Sequence, residues 1–339
     1  DELATARIYD YRQDQKSRRL AVLTIPSFYF DFENSGNRVS VDVERLLGRL
    51  QKEQVDGLVL DLRNNTGGSL PEVQRLTGFF TGRGPVVQVR SKSGQIRALN
   101  SLHRKPFYDG PLIVLVNRNS ASATEILAGA LQDYNRAVIV GASSTYGKGT
   151  VQKMMDISEY MPILADRESA GWLKLTFQKY YRVSGSSVQI KGVIPDLILP
   201  GLGDSFEKGE GFKKHALPHD IIRRNPDFIP LQRNELFVSK LIQKSRERVD
   251  AEPYYKHLTA EILRAKKALK ENSVSLNLSD RLAELKEEES LRSLRLKART
   301  KYFAAIKKRD EKELKIFHLT LDDVYAGKLP PVDPKEEVD

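Results

Sequence analysis

The chain has 339 residues, 55 Lys and Arg against 45 Asp and Glu, a formal charge of +10 and no cysteine. That length is enough to bury a real core in one large or two ordinary domains, and the lack of thiols excludes cysteine nucleophiles, disulfides and Cys-based zinc sites. The basic excess is interleaved with acids in the last third, as in "RLAELKEEESLRSLRLKARTK", which is the pattern of a solvated helix laced with i,i+4 pairs and not of a nucleic-acid surface.

Residues 1–19 read as an N-terminal segment ahead of the first strand, "LAVLTI" at 20–25. No apolar run approaches the roughly 18 residues that span a bilayer, and no signal-like apolar region opens the chain. Asp1 stands where a Met would begin, which fits a processed or cut form and leaves an export signal open. From there short apolar runs alternate with helical patterns. "SVDVERLLGRLQKE" (40–53) is helical, "GLVLDL" (57–62) a strand, and a helix follows Pro71. "PVVQVR" (85–90), "LIVLV" (112–116) and "AVIVG" (137–141) read as strands, with a helix over "ATEILAGALQDY" (123–134). Strands of four to six apolar residues separated by helices predict a mostly parallel sheet covered by helices. "WLKLTFQKYYRV" (172–183) alternates at period two, and "GVIPDLILPG" (192–201) closes this half with a turn.

The stretch 201–230 is rich in Gly, Pro and charge and reads as a linker or long surface loop. His215 and His219 lie in it, in "KKHALPHD", a loop context without further ligands, so no metal site is expected. Residues 231–325 form a charged α-helical region, with one long helix expected from Ser279 to about Lys315, and 326–339 read as a disordered tail.

Three strand ends carry the chemistry. "LVLDLRNNTGGSLPEV" leaves a strand at Leu62 and passes through Asn64, Asn65, Gly67 and Gly68, where paired glycines let backbone amides approach a substrate. "NRNSASATEILAGALQDY" puts Ser120, Ser122 and Thr124 at a helix start, with Glu125 in its first turn. A serine there either caps the helix or stands exposed at the carboxyl end of a strand, beside amides able to hold an oxyanion. "VIVGASSTYGKGTVQ" sets Lys148 between two glycines. A phosphate loop would need four residues between its glycines, a Ser or Thr after the lysine, and a helix to follow. Here five residues intervene, Gly149 follows, and "TVQKMMDIS" opens a helix poorly. The other reading makes Lys148 a base for a nearby hydroxyl, because burial without a counter-charge lowers a lysine from its ordinary pKa of about 10.4.

Taken in order, "DLRNNTGG", "NSASATEILAGALQD", "TYGKGTVQ", "QKYYRVSG" and "KGVIPDLILP" resemble the tail-specific, or C-terminal-processing, serine proteases, over roughly 18 to 320. "ALPHD" and the charged helices resemble the longer, tail-specific branch. The resemblance implies a crotonase/ClpP-like α/β core of mostly parallel sheet over 20–200, followed by an α-helical C-terminal region. It implies a Ser–Lys endopeptidase with Ser122 as nucleophile, Lys148 as general base, Gln152 orienting the lysine, and the backbone amides of Gly68 and Ala123 as oxyanion donors. Asp133, in "LQD", takes a structural role. No cofactor or metal is implied. Substrates would be proteins or peptides with accessible C-termini, a membrane-associated adaptor protein would be a further partner, and the location would be periplasmic or cell-envelope. Three departures stand out. The loop before Lys148 is one residue longer than usual, which predicts a bulge at Ser143 and Ser144 or a shifted lysine. Thr124 replaces a serine. Only about twenty residues precede the first core strand, with no room for the PDZ domain the family carries there. A binding or scaffold relative and a nucleotide-binding protein remain the alternatives.

Overall fold

The computed structural model describes residues 2–13, 16–31, 37–160, 171–206, 208–231 and 236–332. Strand β1 (Thr5–Gln13) buries Ala6 and Ile8 at alternate positions, as the two-residue period of a strand requires. It runs antiparallel to β2 (Lys16–Thr24), so the segment read as preceding the core contributes a full strand to the sheet. Arg7 and Asp10 sit among its apolar positions and mask the alternation.

The chain then alternates as expected, through α1 (Val39–Lys52), β3 (Gly57–Asp61) and α2 (Leu70–Thr81). It leaves for a second sheet at β4 (Pro85–Ser91) and β5 (Ile96–Asn100). It returns through β6 (Leu112–Val116), α3 (Ala123–Asp133) and β7 (Val138–Gly141). A hairpin of β8 (Thr150–Asp156) and β9 (Trp172–Tyr181) completes the second sheet, in the order β5-β4-β9-β8. The short β10 (Leu197–Ile198) pairs parallel with β7. Strands β2, β3, β6, β7 and β10 are therefore neighbours in one parallel run.

Alternate residues of these strands, such as Leu23, Leu60 and Val114, face a core shared with Leu46 and Leu47 of α1, Val73 and Leu76 of α2 and Leu127 of α3. The other face is only partly covered: Leu20 and Ile113 are 43% and 37% exposed. The expected covering by helices thus holds for one face of the sheet.

Beyond two short 3-10 turns, Leu202–Ser205 and Glu210–Phe212, three helices follow: α4 (Val238–Ala251), α5 (Pro253–Glu271) and α6 (Leu278–Glu313). Tyr254 of α5 stacks on Tyr302 of α6 at 5.3 Å between ring centroids, and Leu258 and Ile262 are buried. The helical pattern does not run through to 325. Strand β11 (Leu314–Leu319) pairs antiparallel with β1, completing the seven-stranded order β10-β7-β6-β3-β2-β1-β11, and α7 (Leu321–Ala326) follows. Residues 330–332 fold back on β11, with Val332 N donating to Ile316 O at 2.9 Å. The tail expected to be disordered from 326 is ordered that far, and residues 333–339 lie outside the described residues. Among the described residues no helix is long and apolar enough to cross a membrane.

Candidate active site

Parallel strands end side by side, so the turns after β3 and β6 meet at one edge of the sheet. Asn65 laces them together. Its carbonyl accepts from Ala121 N at 3.0 Å and from Thr124 Oγ1 at 2.8 Å, while its own side chain donates to Ile25 O and accepts from Gly67 N. Ser120 Oγ donates to Leu62 O at 2.9 Å and accepts from Asn117 N. Ser120 and Thr124 are both fully buried and committed to backbone partners. Ser122 is the half-buried hydroxyl between them. It occupies the position just before α3 with φ 58 and ψ −116, far from the extended backbone of an ordinary N-cap. Ser122 and Glu125 form a capping box at the start of α3, and the strained backbone at Ser122 is of the kind found at residues held for function.

The cap belongs to Glu125. Fully buried, it accepts from Ser122 N at 2.9 Å and also from the lysine loop: Lys148 N at 2.9 Å, Gly147 N at 2.7 Å and Thr145 Oγ1 at 2.5 Å. Burial pushes its carboxyl upward, and the four donors pull the other way. One carboxylate thus ties the backbone of Ser122 to that of Lys148. Tyr180 repeats the tie on the carbonyl side, its hydroxyl lying 3.1 Å from Ser122 O and 2.6 Å from Lys148 O. Burial holds Tyr180 well above the ordinary phenol value, so it remains a donor. In the sequence Glu125 is an ordinary first-turn acid and Tyr180 one strand aromatic among several, so neither role shows there.

The same contacts dispose of the phosphate loop. The amides of Gly147 and Lys148, which would cradle phosphate, are spent on a carboxylate, and β8 follows in place of a helix. The flanking glycines serve packing: a Cβ on Gly147 would meet Ile190 O at 2.7 Å, and one on Gly149 would meet Gln189 N at 2.8 Å. Lys148 itself is half-buried and its pKa is lowered, first by burial, then by Lys174 and Lys213, against opposing pulls from Glu210 and Glu125. The head of this loop is pinned at Ser143 and Ser144. Ser143 bonds Asp204, and Ser144 contacts Arg118, which also donates to Thr145 O at 3.0 Å. These contacts lie upstream of the Lys148 amide, which Glu125 holds.

Gly67 lies where the two turns touch: a Cβ there would come within 2.8 Å of Ser122 Cβ and 3.0 Å of Ala123 N. Its own amide is taken by Asn65. Among the described residues, the amides of Gly68 and Ala123 have no acceptor. Gln152 and Lys148 line one cleft of about 600 Å³ together with Ala121. Gln152 is brought near but not onto the lysine, its amide instead donating to Thr176 Oγ1 at 3.4 Å. Asp133 is structural in geometry, forming a two-point pair with Arg182 at 2.7 and 2.9 Å. Among the described residues no group of three or more His, Asp or Glu is placed to hold a metal.

Residues 19–199, more than half of the chain, match peptidase family S41. The chain belongs to that family. Residues 204–328 match the C-terminal domain of tail specific protease. The chain is 42% identical over 205 residues to the tail-specific protease of Haemophilus influenzae, an overlap covering 60% of this chain and 28% of that protein. It is 34% identical over 168 residues to the carboxy-terminal-processing protease of Bartonella bacilliformis, covering 49% and 36%. The overlaps span under half the length of these curated relatives. Among solved structures, the photosystem II D1 C-terminal processing protease superposes with a TM-score of 0.48 at 29% identity, covering 58% of this chain and 48% of that one.

The S41 match ends at Leu199, yet the cleft does not. Residues 203–206 and 208–213 run as a strap across the lysine loop. Arg118 grips the carbonyl of Lys208, and Glu210 N donates to Tyr146 O at 2.9 Å. Lys208, Glu210 and Lys213 from this strap form one wall of the cleft, with Lys213 paired to Glu210 at 2.7 Å.

Proposed function

We propose that this chain carries the active site of a serine endopeptidase in which Ser122 is the nucleophile and Lys148 its general base. The observation that carries the proposal is Glu125, whose single carboxylate holds the backbone amides of both residues. Neutral Lys148, favoured by its burial, takes the Ser122 proton as Oγ bonds the substrate carbonyl carbon. The negative charge that develops on the carbonyl oxygen falls to the amides of Ala123 and Gly68, which have no other acceptor among the described residues. The Lys148 ammonium then protonates the leaving amine as the C–N bond breaks, leaving an ester on Ser122. Water, deprotonated by the same lysine, hydrolyses it. Gln152, whose NH2 donates to Thr176, completes the site by offering its side-chain carbonyl to Lys148 when substrate fills the cleft.

The substrates we assign are unfolded proteins or proteins with exposed C-terminal tails, in keeping with relatives named for C-terminal processing. Mass-spectrometric cleavage of an unfolded test protein, comparing the chain with Ser122→Ala and Lys148→Ala, tests the reading. Loss of cleavage in both variants supports it. Cleavage that survives Ser122→Ala, or that chelators abolish, refutes it.

A further inference from the structure

The charges in the cleft are not the ones proton transfer alone requires. Lys174 of β9, Lys208 and Lys213 line it beside Lys148, against one carboxylate, Glu210. Glu210 is consumed by Lys213 at 2.7 Å. Lys174 and Lys208 have no carboxylate partner among the described residues, and both are exposed. Among the described residues the lining therefore carries more positive than negative charge, with Lys174 and Lys208 unbalanced.

Their placement is fixed by the fold. Thr176 lies across from Gln152 in the β8–β9 ladder, and Lys174, two residues earlier, points to the same side. Lys174 therefore stands on the wall that Gln152 shares. Lys208 approaches from the strap, where Arg118 holds its carbonyl and Glu210 N anchors the next turn to Tyr146. Two lysines from distant parts of the sequence thus converge on one opening, and like charges lining a cleft without counter-ions focus its field on a bound anion.

We infer that Lys174 and Lys208 form a subsite that takes a carboxylate of the bound peptide. This rests on the peptidase reading above and narrows its substrate class: the cleft itself selects peptides carrying negative charge close to the scissile bond, whether as the chain-terminal carboxylate or as an acidic side chain. The subsite also explains why the strap, outside the S41 match, forms part of the cleft. It supplies a specificity group that the core lacks.

The test uses three short apolar peptides of the same sequence, one with a free C-terminal carboxylate, one amidated, and one amidated with a Glu near its end. Relative kcat/KM is measured for the chain and for Lys174→Gln/Lys208→Gln. Because Lys174 also acts on Lys148, ratios between peptides within each variant are compared, which cancels any change in the base. Binding of the same labelled peptides to Ser122→Ala, with and without the two lysine changes, is followed by fluorescence anisotropy. One exposed charge pair contributes up to about fivefold, so the carboxylate peptide is expected to win by roughly five- to twenty-fold at low salt. The advantage should shrink toward unity at high salt and in the double lysine variant. An advantage for the free acid alone identifies the chain terminus as the ligand; one for the Glu peptide as well identifies any nearby carboxylate. Equal use of all three, or an advantage that survives loss of both lysines, overturns the inference. If no peptide is cleaved, the peptidase reading fails, and the anisotropy ratios still decide whether the lysines hold a carboxylate.

Discussion

Replacing Glu125 by Gln changes almost no volume and removes only the ability of one carboxylate oxygen to accept. Oε2 receives the amides of Ser122 and Lys148, and Oε1 receives Gly147 N and Thr145 Oγ1. If the new NH2 group takes the Oε2 position, the amides of nucleophile and base are stranded together. If it takes the Oε1 position, Gly147 N is stranded and Thr145, which already accepts from Val193 N, must turn its hydroxyl to accept again. Each buried donor left without a partner costs ~1–3 kcal/mol. The better orientation therefore loses roughly that amount, and the worse one about twice as much. Either orientation loosens the lysine loop beside Lys148, and a misplacement near 1 Å lowers a rate about 100-fold. Urea denaturation followed by far-UV circular dichroism gives the stability, and peptide cleavage gives kcat. A variant whose midpoint and kcat both match the unmutated chain would show that Glu125 is not the tie described.

The lowered pKa of Lys148 fixes two signs. Cleavage should fall as pH drops through the folded-state pKa, because only the neutral amine accepts the Ser122 proton; a rate that rises on acidification contradicts the base. Between that pKa and the ordinary 10.5 the unfolded chain binds the extra proton, so Lys148 destabilises the fold below this window and the penalty fades as pH rises through it. Lys148→Met should accordingly abolish cleavage at neutral pH while leaving the melting temperature equal or higher. Gly67→Ala, at φ 105 and with Ser122 Cβ 2.8 Å from the added methyl, should cut kcat by about 100-fold or more while costing ~1–3 kcal/mol of stability. Asp133→Ala should do the reverse: breaking its two-point pair with Arg182 costs about 2–4 kcal/mol in denaturation, with kcat little changed in protein that remains folded.

Much of this architecture is legible in the residues themselves. The apolar runs at β3, β6 and β7 and the helix over Ala123–Asp133 announce a parallel core, and the hydroxyls, glycines and lysine fall at the turns that such a sheet gathers at one edge. Strand β1 is hidden in the sequence because charged residues fall at both parities, Arg7 on the outward side and Asp10 in line with Ala6 and Ile8, where it pairs with Arg19. Strand β11 was hidden because "LKIFHL" follows 36 helical residues without a breaker, and only pairing with β1 makes it a strand. The choice of Ser122 over Ser120 and Thr124 becomes physical once the latter two are seen donating to Leu62 O and Asn65 O. The role of Glu125 could not be read locally, since three of its four donors lie at least twenty residues away. The strap resembles a linker in sequence for the same reason: much of its hold on the lysine loop runs through backbone carbonyls, which carry no mark in the sequence.

Strands β10 and β11 lie at opposite margins of the seven-stranded sheet, and the helices α4, α5 and α6 run between them in sequence. The helical region is thus a handle riveted at both ends, spanning six inter-strand gaps or roughly 29 Å at ~4.8 Å each. Such a handle can lengthen cheaply, since doubling a flexible connection adds only about 0.6 kcal/mol. Detaching it is another matter. Loss of β11 would bare the outer edge of β1, a row of unpaired amides and carbonyls ready to recruit a strand from a second molecule.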